Sequence, residues 1–401
     1  MRNFTFLIFV VIAFCCWGTY GPTLHIGQAA MGTDGKLSSL RPFMCVGIAY
    51  FLIAVIFPVL MLVFAGEKGN WSVAGFGWSF IAGAVGALGA LGITMAFKFQ
   101  GKPVYVMPLV FGCAPIVNTL VTMAMTKTFR QANILFFIGI LIVAIGAAGV
   151  LTFKPTSPKK ASSDSAVVSA RTLVSFWPQE TAVGSTELSG PGPSETATAS
   201  STLPEKSNAA PVVPGANRPR TSPSENKSSL VTTASNTFLV ALSVFVTAVC
   251  WGAYGPVLHR GQAKMNGSRL RPFLCVGLAY FAIAVVAPYF LLPYFPESGE
   301  WLTPTGWISS GVWWSMAAGA VGAIGALGII YAFNFGGKPI FVMPLVFGFA
   351  PVVNTLVETT SKGLLSEVQP LFYGSLALVI TGAVMVLVFA PKSAPPKTVT
   401  H

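Results

Sequence analysis

Long apolar runs separated by short polar breaks dominate this chain, and each run is continuous rather than alternating. At 1.5 Å per residue, about 20 such residues cover a hydrocarbon core of roughly 30 Å. Runs of this length fall at about 4–24, 41–64, 77–99, 104–126 and 132–153, and again at about 238–258, 271–294, 312–335, 340–361 and 369–390. Backbone groups in lipid must be satisfied within a segment, so the runs predict helices. Between the two sets, 155–236 is rich in Ser, Thr and Pro, and its one apolar interruption is VSFWPQ at 174–179. Low hydropathy with no sustained period predicts a disordered linker there. The expected organisation is a five-helix unit over 1–154, the linker over 155–236, a second five-helix unit over 237–391 and a short tail over 392–401.

The two units are copies. Residues 10–28, VVIAFCCWGTYGPTLHIGQ, return at 244–262 as VFVTAVCWGAYGPVLHRGQ, and LRPFMCVGIAYFLIAV at 40–55 returns at 270–285 as LRPFLCVGLAYFAIAV. Over 83–121 against 319–357, 9 of 39 positions differ, which leaves 30 identical. Shared apolar composition does not produce such identity. The duplication also bears on the N-terminus. Arg2 followed by the apolar stretch to Phe14 has the form of a signal peptide, but its copy lies in mid-chain, where a cleaved signal makes no sense.

Five crossings is an odd number, so a second copy must start on the opposite face of the membrane from the first. The fold class expected is therefore an all-α polytopic membrane protein, with ten transmembrane helices as two inverted five-helix repeats. Inverted repeats recur in secondary transporters, which hold substrate near the midplane between the halves.

Composition agrees with this picture. Only 9% of residues are charged and mean hydropathy is +0.70, against about 25% charged in a soluble domain. The net charge of +12 is scattered among breaks between helices rather than gathered in a run, which excludes a nucleic-acid footprint and suits loops at headgroups. Short loops carry 11 Lys or Arg on the N-terminal side and 5 on the other. The expected location is a bacterial-type plasma (inner) membrane, with termini cytoplasmic and the linker outside. All six cysteines lie in apolar stretches and read as small buried hydrophobes. A homodimer is one assembly open to such a chain.

No metal-ligand spacing, phosphate loop or nucleophile–base set stands out, so neither an enzyme nor a bound metal or cofactor is expected. His25 and His259 occupy matching positions after the Gly-Pro of the first helix of each copy. They read as interfacial histidines or as gating groups. Glu358 is the one acid inside a proposed span, and its counterpart is Thr122; intramembrane carboxylates are often functional, though one near an end can reach the interface. Lys102 and Lys338, in the turns QGKP and GGKP, either snorkel to headgroups or draw an anion to a mouth.

Three further patterns recur in both copies. Gly83, Gly86, Gly89 and Gly92 are spaced by three, as are Gly319, Gly322, Gly325 and Gly328, which suits close helix packing or a cavity wall. The fourth helices, MPLVFGCAPIVNTLV and MPLVFGFAPVVNTLV, carry two prolines and an Asn, Asn118 or Asn354. These amides serve either as interhelical glue or as substrate ligands. Trp17, Tyr20, Trp251 and Tyr254, in CWGTYGP and CWGAYGP, are either an interfacial aromatic belt or walls that stack a ring or sugar.

Ten spans in two copies, Trp17-Gly18 and Trp251-Gly252, and Pro-rich fourth helices make the chain resemble the drug/metabolite transporter superfamily in its EamA-like branch. The resemblance covers about 320 residues. It implies alternating access around a central cavity lined by helices 1, 3, 4, 6, 8 and 9, and small metabolites as substrates. On this chain it selects Trp17, Tyr20, Asn118, Trp251, Tyr254 and Asn354 as substrate-binding residues, and their near-neutral character favours an uncharged or zwitterionic solute. The alternative is a membrane receptor or scaffold whose long linker binds a partner.

Overall fold

The computed structural model describes residues 5–33, 35–153, 223–292, 294, 306–335, 339–363 and 366–389. Lys338, the tail 392–401 and the linker up to residue 222 lie outside the described residues. Helices follow one another along the chain: α1 (Thr5–Ala30), α2 (Leu40–Phe64), α3 (Val73–Lys98), α4 (Pro103–Thr126) and α5 (Ile134–Thr152). The second set is α6 (Pro223–Lys264), α7 (Leu270–Leu291), α8 (Ser309–Asn334), α9 (Pro339–Ser361) and α10 (Pro370–Val388). No β-strand occurs among the described residues; Thr33 and Lys36 form an isolated bridge. α1 to α8 are each long and apolar enough to cross a membrane.

The outside of the bundle is apolar. Ile134, Phe137, Leu141 and Ile145 on α5, Phe238, Leu242, Phe245 and Val249 on α6, and Val59, Leu60, Val63 and Phe64 on α2 are all exposed. A water-soluble surface does not present such continuous faces. In hydrocarbon they cost nothing, and the chain is an all-α, multi-pass integral membrane protein. Several hydroxyls within the helices turn back onto their own backbone, as Thr23 does to the Thr19 carbonyl at 2.8 Å and Thr122 to that of Asn118 at 2.8 Å. This satisfies them without water.

Three features differ from the pattern read along the sequence. α1 passes straight through Gly21-Pro22 to Ala30, because a proline in a membrane helix removes one hydrogen bond without preventing the next turn. α6 begins at Pro223, within the stretch read as linker. Proline suits a first helical turn, and no Gly or Pro follows it until after Val249. Finally, α2 and α7 each contain a π-helical turn, Leu52–Ile56 and Ala282–Val286, just ahead of Pro58 and Pro288. The wider turn accommodates a ring that would otherwise clash with the carbonyl four residues back.

Packing between the two sets is reciprocal. α1 lies along α8 and α6 lies along α3, with the glycine faces turned toward the partner. Trp17 Nε1 donates to the Gly322 carbonyl at 3.3 Å, and its counterpart Trp251 donates to the Gly86 carbonyl at 3.2 Å. A Cβ on Gly325 would collide with the Trp17 ring, and one on Gly89 with the Trp251 ring. Gly18 meets Ala350 and Val353 of α9, and Gly252 meets Ala114 and Val117 of α4. Gly47 abuts Ala284 and Val285, while Gly277 abuts Ala54 and Val55. Contact order along the helices gives direction. Ala13, Trp17 and Gly27 meet Gly328, Gly325 and Ser315 in turn, so α1 and α8 run antiparallel; Gly92, Gly89 and Gly75 meet Thr247, Trp251 and Met265, so α3 and α6 do too. α5 and α10 form a separate tight pair, Gly146 against Val379 and Gly382 against Val143.

Glycine here is a spacing device, since lipid gives helices no hydrophobic reason to associate. A Cβ at Gly83 would sit 2.6 Å from the Val276 Cα and carbonyl, whereas Gly77 on the same helix has open space. Gly83→Ala should therefore cost about 1–3 kcal/mol through overpacking against immovable backbone. Gly77→Ala should be neutral or stabilising by up to about 1 kcal/mol, from helix propensity alone. Thermal unfolding of the two variants in detergent checks this; equal midpoints would show that the glycine face does not set the helix separation.

Candidate functional site

The extension of α1 to Ala30 puts Trp17 and Tyr20 about halfway along their helix, and Trp251 and Tyr254 hold the same place in the apolar part of α6, Ser235–Lys264. They are mid-depth residues rather than a headgroup belt. There they converge on one cavity, whose wall also contains Tyr50 with Tyr280 and Gly86 with Gly322, completing four matching pairs from the two copies. Ala326, Met343 and Phe347 come from the second copy alone.

The aromatic groups hold each other in place. The Tyr50 and Tyr280 rings stack with centroids 3.7 Å apart and planes 1° from parallel. Tyr20 meets Trp251 edge to face at 5.9 Å. Both indole N–H groups are committed to glycine carbonyls, which fixes the indole planes. By contrast the hydroxyls of Tyr20 and Tyr254 are buried with no hydrogen-bond partner. Such a group normally finds one, so the cavity carries two unused donor–acceptor groups, one from each copy. Its volume is about 40 Å³, room for roughly two or three waters. The walls are drawn together in this conformation.

The asparagines stand next to this cavity rather than in its wall. Asn354 is fully buried, and its Nδ2 donates to the Pro103 carbonyl at 3.0 Å, tying α9 to the start of α4. Its Oδ1 lies beside Gly21 and has no partner. Asn118 is half-buried beside Gly255. The next residues, Thr119 and Thr355, also carry buried hydroxyls without partners.

Charged groups gather at the two ends of the bundle. At one end, His25 packs edge-on against Phe97 at 5.4 Å, with Lys102 and Lys362 in electrostatic reach. Glu358 is buried and ion-paired to Lys362 one turn on, and Lys98 Nζ donates to Ser39 Oγ at 3.0 Å. His25, Lys102 and Glu358 thus share one mouth. His259 is exposed at the other end. There Glu67, from the α2–α3 loop, caps the start of α7: its carboxylate accepts from Ser268 Oγ at 2.6 Å and from the Arg269 backbone N–H at 2.7 Å, with Arg271 Nη1 at 3.5 Å. A carboxylate at a helix N-terminus also meets the positive end of the helix dipole. Arg260 closes over the same end, donating to the Met125 carbonyl at 3.2 Å, with its guanidinium 5.2 Å from the Trp78 ring centre.

Reading the sequence missed Tyr50 and Tyr280 as site residues. They occupy matching positions in the LRPF repeat, and a polar aromatic duplicated in mid-span was the signal available. No metal-holding group of His, Cys, Asp or Glu occurs among the described residues. Compared with known proteins, the chain matches no protein-family model, and no curated protein matches it significantly.

Removal of the Asn354 amide orphans the Pro103 carbonyl in a buried site. Asn354→Ala should lower stability by about 1–3 kcal/mol, read as a drop in thermal midpoint in detergent. An unchanged midpoint would mean that the α4–α9 contact does not depend on this bond.

Proposed function

We propose that the protein is a secondary transporter of the drug/metabolite transporter type, moving a small polar or amphipathic metabolite by alternating access. The observation that carries this reading is the cavity itself: matched residues from two sequence copies enclose it at mid-depth, and the hydroxyls of two of them, Tyr20 and Tyr254, are unused. In this reading ten helices cross the bilayer as two inverted five-helix repeats, and the substrate sits on their pseudo-two-fold axis. The antiparallel course of α1 against α8, and of α3 against α6, supports the inversion. The exchange of the glycine contacts between the copies supports a two-fold relation. Trp17, Tyr20, Trp251 and Tyr254 bind the solute, together with Tyr50 and Tyr280. Asn354 braces the fourth helix of the second repeat behind that wall through its bond to the Pro103 carbonyl, and Asn118 stands at the matching place beside Gly255. The mouth with His25, Lys102, Glu358 and Lys362 and the mouth clasped by Glu67, Ser268 and Arg260 open in turn. The contracted volume suits a conformation closed toward both sides.

Alternating access around a shared site requires the aromatic walls to grip in both states. In reconstituted vesicles, counterflow of a solute selected by thermal-shift screening should fall by about tenfold or more in Trp17→Phe/Trp251→Phe. Both indole hydrogen bonds and part of the ring contact go with that change. Saturation without counterflow change would reject the cavity as the transport site. Topology is checked separately with cysteines introduced at Asn3 and Ser200 in a background lacking the six native ones. They should react from opposite sides of the membrane, and labelling of both from one side would reject the inverted arrangement.

A further inference from the structure

We infer that the ligand of the central cavity is an uncharged, flat ring compound with two hydrogen-bonding groups. This rests on the transporter reading above and deepens it by naming the substrate's chemistry.

The argument begins with what the wall lacks. None of the side chains that line the cavity is charged. A carboxylate or phosphate moved into it would leave water with no cation to meet it, at a cost that hydrogen bonds from two tyrosines do not offset. A zwitterion is disfavoured twice, once for each end. For a primary ammonium the natural acceptors would be backbone carbonyls, but those of Gly86 and Gly322 are already engaged by the Trp251 and Trp17 indoles. A quaternary ammonium has no N–H to satisfy and is attracted to aromatic faces. It would leave the two free hydroxyls as they are, buried and unused.

Those hydroxyls are the positive evidence. Tyr20 is 3% exposed and Tyr254 8% exposed, and neither oxygen has a partner. They come from equivalent positions of the two copies, and both tyrosines line the cavity. Each Trp of the wall is spoken for by a glycine carbonyl, and the Tyr50 and Tyr280 rings are stacked on each other. A ligand is therefore read at two points, one from each copy, and held elsewhere by aromatic surface. Flatness follows from the rings. Trp17, Trp251, Tyr50, Tyr280 and Phe347 line the cavity, and aromatic surfaces pair well with a further flat ring, offset-stacked or edge to face. Met343, unbranched and adaptable, is the part of the wall best able to yield as the cavity widens.

The test uses the purified full-length chain in detergent and four probes: uracil and nicotinamide as neutral rings, phenylalanine as a zwitterion, and tetramethylammonium as a cation. Calorimetric titration should show binding of at least one neutral ring and no binding of the other two. Tyr20→Phe and Tyr254→Phe should each weaken ring binding about tenfold, the loss expected of one hydrogen bond. Both variants should keep or raise the thermal midpoint, because each removes a buried group that has no partner in the protein. Binding of phenylalanine or tetramethylammonium alone, no binding of either ring, or ring binding unaltered in both variants would overturn the inference. Counterflow separates this from the transporter reading: flux of another solute without ring binding sinks the ring class alone, and ring binding without flux sinks transport alone.

Discussion

Close approach of helix backbones is the interaction on which this structure depends. In a bilayer, apolar side chains gain nothing by leaving lipid for protein, so helices are held by dispersion contacts and a few hydrogen bonds. Both fall away steeply with distance. Gly83, Gly86 and Gly89 on α3, and Gly319, Gly322 and Gly325 on α8, let the opposing helices come near enough for Trp251 and Trp17 to lie against bare backbone and bond to it. Because each tryptophan belongs to one copy and its glycine groove to the other, neither copy buries its own face. The two are interdependent.

The same contacts create the cavity. A tryptophan fills the groove at Gly89 and Gly325; one turn away, Gly86 and Gly322 pack against Tyr280 and Tyr50 and form part of the cavity wall. Packing and site are thus neighbouring parts of one surface, and the two readings of the glycine spacing, helix packing or cavity wall, hold at different glycines of the same row. The copies differ most at the ends. Arg260 stands where the first copy has Ile26, and Glu358 with Lys362 where it has Thr122 and Thr126. Duplication kept the centre symmetric and left each mouth with its own electrostatics.

Much of the fold is legible in the residues because membrane helices are local objects. Length, continuity of the apolar runs and turn residues such as Gly101-Lys102-Pro103 place most of the helices within a few positions, though not α1, which runs on to Ala30, or α6, which starts at Pro223. The π-helical turns before Pro58 and Pro288 were not legible, since the apolar run continues unchanged through them. Nor was the true length of α1. The apolar run ends near residue 24, but the helix continues through Pro22 to Ala30, which puts Trp17 and Tyr20 about halfway along it.

The sequence alone determined that this is a duplicated, helical membrane protein, and it singled out Trp17, Tyr20, Trp251 and Tyr254, because composition, run length and repetition are properties of the chain taken in order. Tertiary structure decided what those residues do together. It brought Tyr50 and Tyr280 into contact, set Asn354 on the Pro103 carbonyl instead of in the wall, gathered His25, Lys102 and Glu358 at one end of the bundle, and left the hydroxyls of the cavity residues Tyr20 and Tyr254 unpaired. Each of those outcomes depends on which helix faces which across the two copies, and that is decided by three-dimensional fit between distant glycine and aromatic surfaces, which no local pattern encodes.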